Sequence, residues 1–367
     1  MIYVSVILPL LLALLLAQYM IPRILMVSVK KDLVIPSETR DKGRLRVPRL
    51  GGVSLFPVLV ISAGATAALC ARFDGSLLWM TENDSDFVQY MFAAAGLTTM
   101  YLLGVMDDLL GVSITSKLII ECLAALLIPL SGLWLDNLHG VLGIYELPWW
   151  IGMPLTMLTV LYISNAIPML DDVDGLASGL AMIAFTVLGV VAFLADELVL
   201  LIFCSAMTGM LGPFFFRNVI GSRMGLRNIY LGDTGSLTIG YILSVVVIGL
   251  SRLGGRCLPE GVIMVCFGTL LIPMFDVFRV AVTRMVNHRN MFRRDNNHIH
   301  HRLMQGGMGP VQVLVFIMII TFSFVILNVV CVWFDWNLSV LLVTDVSLWL
   351  IRSRIRTDER RFCRPPP

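Results

Sequence analysis

Apolar residues run through this chain in long, nearly unbroken blocks, without the regular alternation that marks an element with one wet face. The blocks cover 2 to 25, 51 to 71, 88 to 105, 118 to 135, 149 to 168, 176 to 195, 198 to 216, 235 to 250, 260 to 280, 311 to 334 and 338 to 351. Most approach the roughly 20 residues a helix needs to cross a hydrocarbon core of about 30 Å. Backbone N–H and C=O groups find no water there, so each block must pair them internally as a helix. The pattern predicts an all-α polytopic integral membrane protein with about eleven transmembrane helices. The first block has no Lys or Arg ahead of it and continues past Gln18 to Arg23, so it reads as a span and not as a cleaved leader.

The gaps between blocks differ sharply in basic residues. Lys30, Lys31, Arg40, Lys42, Arg44, Arg46 and Arg49 follow the first span, and Lys117, Arg217, Arg223, Arg227, Arg284 and Arg289 lie in later odd gaps. The even gaps carry only Arg72, Arg252 and Arg256. Basic loops stay on the cytoplasmic side, which places the odd gaps and the C-terminus there and the N-terminus outside. No repeat or low-complexity linker is evident, so residues 1–351 read as one membrane domain and 352–367 as a basic cytoplasmic tail.

Composition strengthens this reading and closes others. Hydrophobic residues make up 57% and charged residues 14%, against about 25% charged in a soluble domain, which excludes a water-soluble enzyme. With 27 Lys+Arg against 25 Asp+Glu, the chain lacks the basic excess of a nucleic-acid binder. Its seven cysteines include no C-x-x-C pair and lie mostly in apolar runs, so they read as small core residues.

The polar clusters share one side. Asp107-Asp108 end the third span, Asp171-Asp172-Val173-Asp174-Gly175 joins the fifth and sixth, Gly232-Asp233-Thr234-Gly235-Ser236 opens the eighth, and His298-Ile299-His300-His301 precedes the tenth. Singly, each has an ordinary reading as a cap, a turn or a polar loop. Neighbouring helical residues point about 100° apart, so Asp107 and Asp108 are expected to serve different partners. One could hold a metal while the other takes a proton or orients a ligand. Asp171 and Asp174 share a face if helical. The glycines around Asp233 let backbone approach a ligand where a helix N-terminus favours an anion, and Asp233 is a hard oxygen donor of the kind Mg²⁺ prefers. His298 and His301 could share a helical face as phosphate donors, beside the fixed charge of Arg293 and Arg294. A zinc reading of these histidines is set aside, because no cysteine stands near them. Lys117 suits either snorkelling to headgroups or binding a lipid phosphate.

Taken together, these residues resemble the polyprenyl-phosphate N-acetylhexosamine-1-phosphate transferases, the membrane family with WecA-like and MraY-like branches. The resemblance runs from Pro48-Arg49-Leu50-Gly51-Gly52 through Asp107-Asp108, Asn165 to Gly175, Gly232 to Ser236 and Pro273 to Asp276, to His298-Ile299-His300-His301. The His-Ile-His-His form is closer to the WecA-like branch, whose donors are simple UDP-HexNAc sugars, than to the MraY-like branch with its peptide-bearing donor. Pro168 and Asp172 depart from the family pattern, which carries Asn and Gly there; Met291 and Asn296 depart from a common Pro and a common Lys or Arg.

The resemblance implies transfer of a HexNAc-1-phosphate, GlcNAc-1-phosphate in first place, from a UDP-sugar to undecaprenyl phosphate, with release of UMP. That step opens synthesis of an envelope polysaccharide of O-antigen, capsule or teichoic-acid type at a bacterial inner membrane. Mg²⁺, or Mn²⁺ in its place, is the expected cofactor, and the lipid bilayer and a second copy of the chain are the other expected partners. By the same resemblance Asp233 is the first choice for the metal. Asp107 and Asp108 serve as base, orienting group or metal ligands. Asp171, Asp174 and Asn165 position nucleotide and diphosphate, Lys117 meets the lipid phosphate, and Arg293, Arg294, His298, His300 and His301 grip the donor. A cation-coupled transporter is the rival from another class, and Asp345 is the clear midspan acid it would use.

Overall fold

In the computed structural model, residues 2–31, 50–74, 84–221, 229–286 and 298–347 are described. They form helices α1 (Ile2–Lys30), α2 (Leu55–Asp74), α3 (Asp84–Leu110), α4 (Ile114–Leu130), α5 (Trp149–Ala166), α6 (Leu176–Leu194), α7 (Leu198–Ile220) and α8 (Gly232–Ser251). Then follow α9 (Val262–Gly268), α10 (Leu271–Val286), α11 (Ile299–Gln305), α12 (Pro310–Trp333) and α13 (Leu338–Ser347). Among the described residues, eight helices are long and apolar enough to cross a membrane, and the bent pair α9–α10 makes a ninth candidate. The other two apolar blocks form α4, with 17 residues, and α13.

α8 is the axis of the bundle. Its apolar residues face every direction, as a helix enclosed by other helices requires. α3, α5, α6 and α9 pack around it, and 89% of its apolar window is buried. Its hydroxyl side chains turn back onto the helix. Thr238 donates to the Thr234 carbonyl at 2.6 Å, Ser244 to Gly240 at 2.7 Å and Ser251 to Val247 at 2.6 Å. Polar groups are thereby satisfied where water is absent, while small side chains keep the neighbours close. α1 packs against α7 and α2, away from this axis.

Two departures from uniform spans matter for the site. The block expected as a single span over 260 to 280 breaks after Gly268 and bends by 69° into α10. Pro273 sits in the first turn of α10, where its missing N–H costs nothing, but the same ring prevents one helix from running through. A small antiparallel hairpin, β1 (Asn137–Val141) and β2 (Ile144–Glu146), interrupts the helical pattern between α4 and α5. His139 of the hairpin lies 3.1 Å from the Ser251 carbonyl, at the opposite end of α8 from Asp233.

Candidate active site

The N-terminus of α8 collects the acidic clusters. Asp108, at the end of α3, accepts the amides of Asp233 at 3.0 Å and Thr234 at 2.9 Å, and the Thr234 hydroxyl at 2.6 Å. A carboxylate from a different helix therefore satisfies amides that α8 leaves unpaired at its start, and its charge complements the helix dipole. Asp108 is 7% exposed, so water does not compete for these bonds. Neighbouring Asp107 points elsewhere: its Oδ1 accepts the Val112 amide at 2.8 Å and its Oδ2 meets Lys117 Nζ at 2.7 Å. The two aspartates thus serve different partners, as their helical spacing demands.

Lys117 also lies 2.9 Å from Asp233 Oδ1, so one ammonium bridges the carboxylates of α3 and α8. It faces this acidic pair, unlike a lysine that snorkels to headgroups. One turn further along α4, Glu121 is fully buried and accepts the Asn165 side-chain amide at 2.7 Å. Asn165 is in this way held by α4 and by its own helix, through the Leu161 carbonyl.

Glycines make the close approach possible. A Cβ built on Gly104 of α3 would stand 2.4 Å from the Thr234 Cα, and one on Gly52 would stand 2.2 Å from the Gly235 amide nitrogen. Leu50–Ser54 forms a short 3-10 turn from which Gly52 donates its amide to the Leu231 carbonyl at 3.0 Å. The glycine pair singled out in the sequence therefore packs directly against the start of α8.

The 171–175 segment is a turn, so Asp171 and Asp174 do not share a helical face. Asp171 Oδ2 accepts the Gly232 amide at 3.1 Å, a further bond to the start of α8. Burial pushes the Asp171 carboxyl well above the usual carboxylate range, and the charges of Asp172, Asp233 and Asp108 push the same way against the Gly232 bond. Asp174 stands in the same turn, half-buried. Gly175, with φ 84°, is the N-cap of α6 and donates its backbone amide to the side-chain oxygen of Asn218.

The histidines divide in a way that helical spacing does not foresee. His298 precedes α11 and its Nδ1 lies 2.9 Å from Asp276 Oδ2; Asp276 also accepts the Ile299 amide at 3.0 Å and Arg279 at 2.8 Å. His300 and His301 turn instead to Asp172, with Nε2 atoms 3.7 and 3.3 Å from its Oδ2. His298 and His301 therefore do not form the pair expected from a shared face. The extra negative charge of Asp172 is directed at two imidazoles, which hold its carboxyl well below the usual range, while burial lowers the pKa of His300. Arg293, Arg294, Met291 and Asn296 lie outside the described residues.

The sequence reading missed three links here: the Asp108 cap on α8, the Asp276–His298 contact and the Glu121–Asn165 bond. The residue types were visible. Their partners, 126, 22 and 44 positions apart, were not. Asp345, the midspan acid, is buried and accepts the Asn328 side-chain amide at 3.1 Å, on α12 and α13 and outside this network.

As chemistry, the site is a set of hard carboxylate oxygens gathered at a helix N-terminus around one fixed cation. Asp107 and Asp233 already converge on the Lys117 ammonium, and oxygen donors of this kind suit Mg²⁺. Both oxygens of Asp108 are tied to the first turn of α8, whereas Asp107 Oδ2 and Asp233 Oδ1 face an ammonium that a cation could replace, so these two are the better-placed candidates to hold a metal.

The sequence that builds this bundle is similar to those of a known class of proteins. The family model described as Glycosyl transferase family 4 matches residues 90–251, the stretch from α3 to the end of α8. The relatives extend the likeness over most of the chain. A protein of Bacillus subtilis (strain 168), the "Probable undecaprenyl-phosphate N-acetylglucosaminyl 1-phosphate transferase", is 27% identical over 332 residues, covering 90% of this chain and 82% of its own length. Proteins of Yersinia pestis and Escherichia coli (strain K12), each an "Undecaprenyl-phosphate alpha-N-acetylglucosaminyl 1-phosphate transferase", are 26% and 27% identical, covering 79% of this chain and 74% of theirs. Over residues 90–251 the chain is similar to glycosyl transferase family 4, and over most of its length it is similar to these relatives.

Proposed function

We propose that this protein transfers GlcNAc-1-phosphate from UDP-GlcNAc to undecaprenyl phosphate, releasing UMP, as the first membrane step of envelope polysaccharide synthesis. The reading is supported by the names of the relatives and by one feature of the site: Lys117 bridges Asp107 and Asp233 at the start of α8. In the reaction an oxygen of the lipid phosphate forms a bond to the sugar-bearing phosphorus of the donor. The bond from that phosphorus to the UMP oxygen breaks, and UMP leaves with the electron pair.

Catalysis of this kind rests on in-line positioning and on neutralising crowded phosphate charge. Asp233 and Asp107 would hold Mg²⁺, whose contribution when bound is to draw negative charge from the phosphate oxygens. Lys117 supplies a fixed positive charge for the lipid phosphate. Asp108 acts on the reaction by positioning, since it fixes the first turn of α8 and hence Asp233. Asp171, Asp174 and Asn165 line the donor side, with His298 held by Asp276 and with Arg293 and Arg294 preceding it in sequence. A lipid phosphate with nearly two negative charges needs little help from a base, so charge neutralisation dominates. The site faces the cytoplasm of a bacterial inner membrane, where the nucleotide sugar is soluble and the basic gaps lie.

The test is release of UMP by purified protein given UDP-GlcNAc, undecaprenyl phosphate and Mg²⁺. The expected result is UMP release that needs both substrates. Failure to release UMP under these conditions overturns the proposal.

A further inference from the structure

We propose that a polar cavity at the end of the bundle opposite Asp233 binds the headgroup of a membrane lipid that carries a phosphate and a primary ammonium. The cavity has a volume of about 440 Å³ and is lined by Asp136, His139, Glu146, Arg252, Arg256 and Glu260, from the β1–β2 segment and the turn that follows α8. Ser251, whose carbonyl meets His139, lies about 27 Å along α8 from Asp233, and the cavity shares no residue with the acidic site.

The basic side of the cavity is left unfilled. Arg252 donates to the Gly132 carbonyl through Nη1 at 3.4 Å. Its Nη2 and that of Arg256 lie 3.7 and 3.9 Å from one oxygen of Asp136, beyond hydrogen-bond length. A third donor of Arg252, Nε, is buried without a partner. Nε and Nη2 form the edge with which a guanidinium grips a carboxylate or phosphate through two bonds, and native structures rarely leave such a donor unpaired without a reason. On the acidic side, Glu146 and Glu260 have no ion-pair partner among the described residues. The Ser251 carbonyl can only accept, so His139 Nε2 carries the hydrogen across their 3.1 Å contact and Nδ1 is left as an acceptor.

These charges select the ligand. Three carboxylates disfavour a simple anion and two guanidinium groups disfavour a simple cation, whereas a zwitterion satisfies both. Its phosphate would take the Arg252 edge and Arg256 in place of Asp136, and its ammonium has Glu146, Glu260 and His139 Nδ1 as acceptors. A quaternary ammonium favours an aromatic cage, and no aromatic ring other than the His139 imidazole lines the cavity. The source is a lipid, because this end of the bundle carries the aromatic residues of a membrane interface. Tyr145 of the hairpin, Trp149 and Trp150 at the start of α5, and Trp333 and Trp336 at the α12–α13 junction are all exposed. Ser339 of α13 donates to the Gly140 carbonyl at 3.3 Å, which ties that junction to the hairpin.

The experiment uses the full chain in detergent, freed of lipid, with native mass spectrometry reading the retention of phosphatidylethanolamine, phosphatidylglycerol and phosphatidylcholine of identical acyl chains. Soluble phosphoethanolamine is the fourth probe. The expected result is one phosphatidylethanolamine per chain, held about tenfold more tightly than the other two lipids, the effect of one charged hydrogen-bonded contact, and more tightly than the soluble headgroup. Arg252→Gln and Glu260→Gln should each remove that preference. Glu260 is exposed, so its variant should melt like the lipid-free wild type. Equal retention of the three lipids, a preference unchanged in Glu260→Gln, or soluble phosphoethanolamine bound as tightly as the lipid overturns the proposal.

Discussion

Asp108 and Thr234, 126 residues apart, are joined twice: one carboxylate oxygen accepts both the amide of Thr234 at 2.9 Å and its hydroxyl at 2.6 Å. With the Asp233 amide on the other oxygen, this is an N-cap supplied by a neighbouring helix. Asp108→Asn replaces an acceptor oxygen by a donor facing the same amides. The expected outcome is a loss of about 1–3 kcal/mol of stability together with reduced UMP release. A lowered melting temperature of the detergent-solubilised variant checks the first part. An unchanged melting temperature would remove the cap from the account of how Asp233 is placed.

Asp233 is the carboxylate whose loss should be most severe. Asp233→Asn keeps the shape of the side chain but removes the charge that pairs with Lys117 and would hold Mg²⁺. UMP release should fall by about a thousandfold, since several kcal/mol of charge stabilisation disappear. A variant that turns over normally in excess Mg²⁺ would refute the metal assignment.

Lys117→Ala separates binding from turnover. It leaves Asp107 and Asp233 without the ammonium they share, so the site becomes more negative where the lipid phosphate must approach. Turnover should drop by about a hundredfold while UDP-GlcNAc binding, measured by equilibrium dialysis, is retained. Loss of donor binding in this variant would move Lys117 to the donor side.

Asp171 carries a pH signature. Its carboxyl is raised well above the usual range, chiefly by burial, so the folded chain holds a proton that the unfolded chain releases near pH 4. Stability from this group is therefore full at low pH and declines as pH rises through the folded pKa. Asp171→Asn cannot lose a proton. The melting temperature of the variant relative to wild type should rise steadily above about pH 4 and then level off. A difference that stays constant with pH would show that Asp171 titrates normally.

Gly104 tests the close packing of α3 on α8. A methyl group there would stand 2.4 Å from the backbone of Thr234, which cannot swing aside as a flexible side chain would. Gly104→Ala should cost about 1–3 kcal/mol and lower UMP release by drawing Asp108 away from the α8 amides. Gly64, on α2 with open space around it, is the control, and its Ala variant should melt like wild type.

The apolar blocks by themselves determined a helical membrane protein, because hydrocarbon leaves a backbone no other way to pair its groups. They also marked the four polar gaps, since a charged residue next to such a block needs a chemical reason to be there. The fate of Asp107 and Asp108 as two residues with different partners followed from helical geometry alone. Which partners they took did not. That α8 runs through the middle, that Gly104 and Gly52 let its first turn be reached, and that α10 bends away to present Asp276 to His298 are products of packing among distant helices. Asp172 illustrates the limit most sharply. In the sequence it is a carboxylate where the family pattern carries glycine; in three dimensions it faces His300 and His301. Periodicity reports how a residue relates to its own helix, whereas the energy of a buried carboxylate depends on the charge of whatever is folded against it.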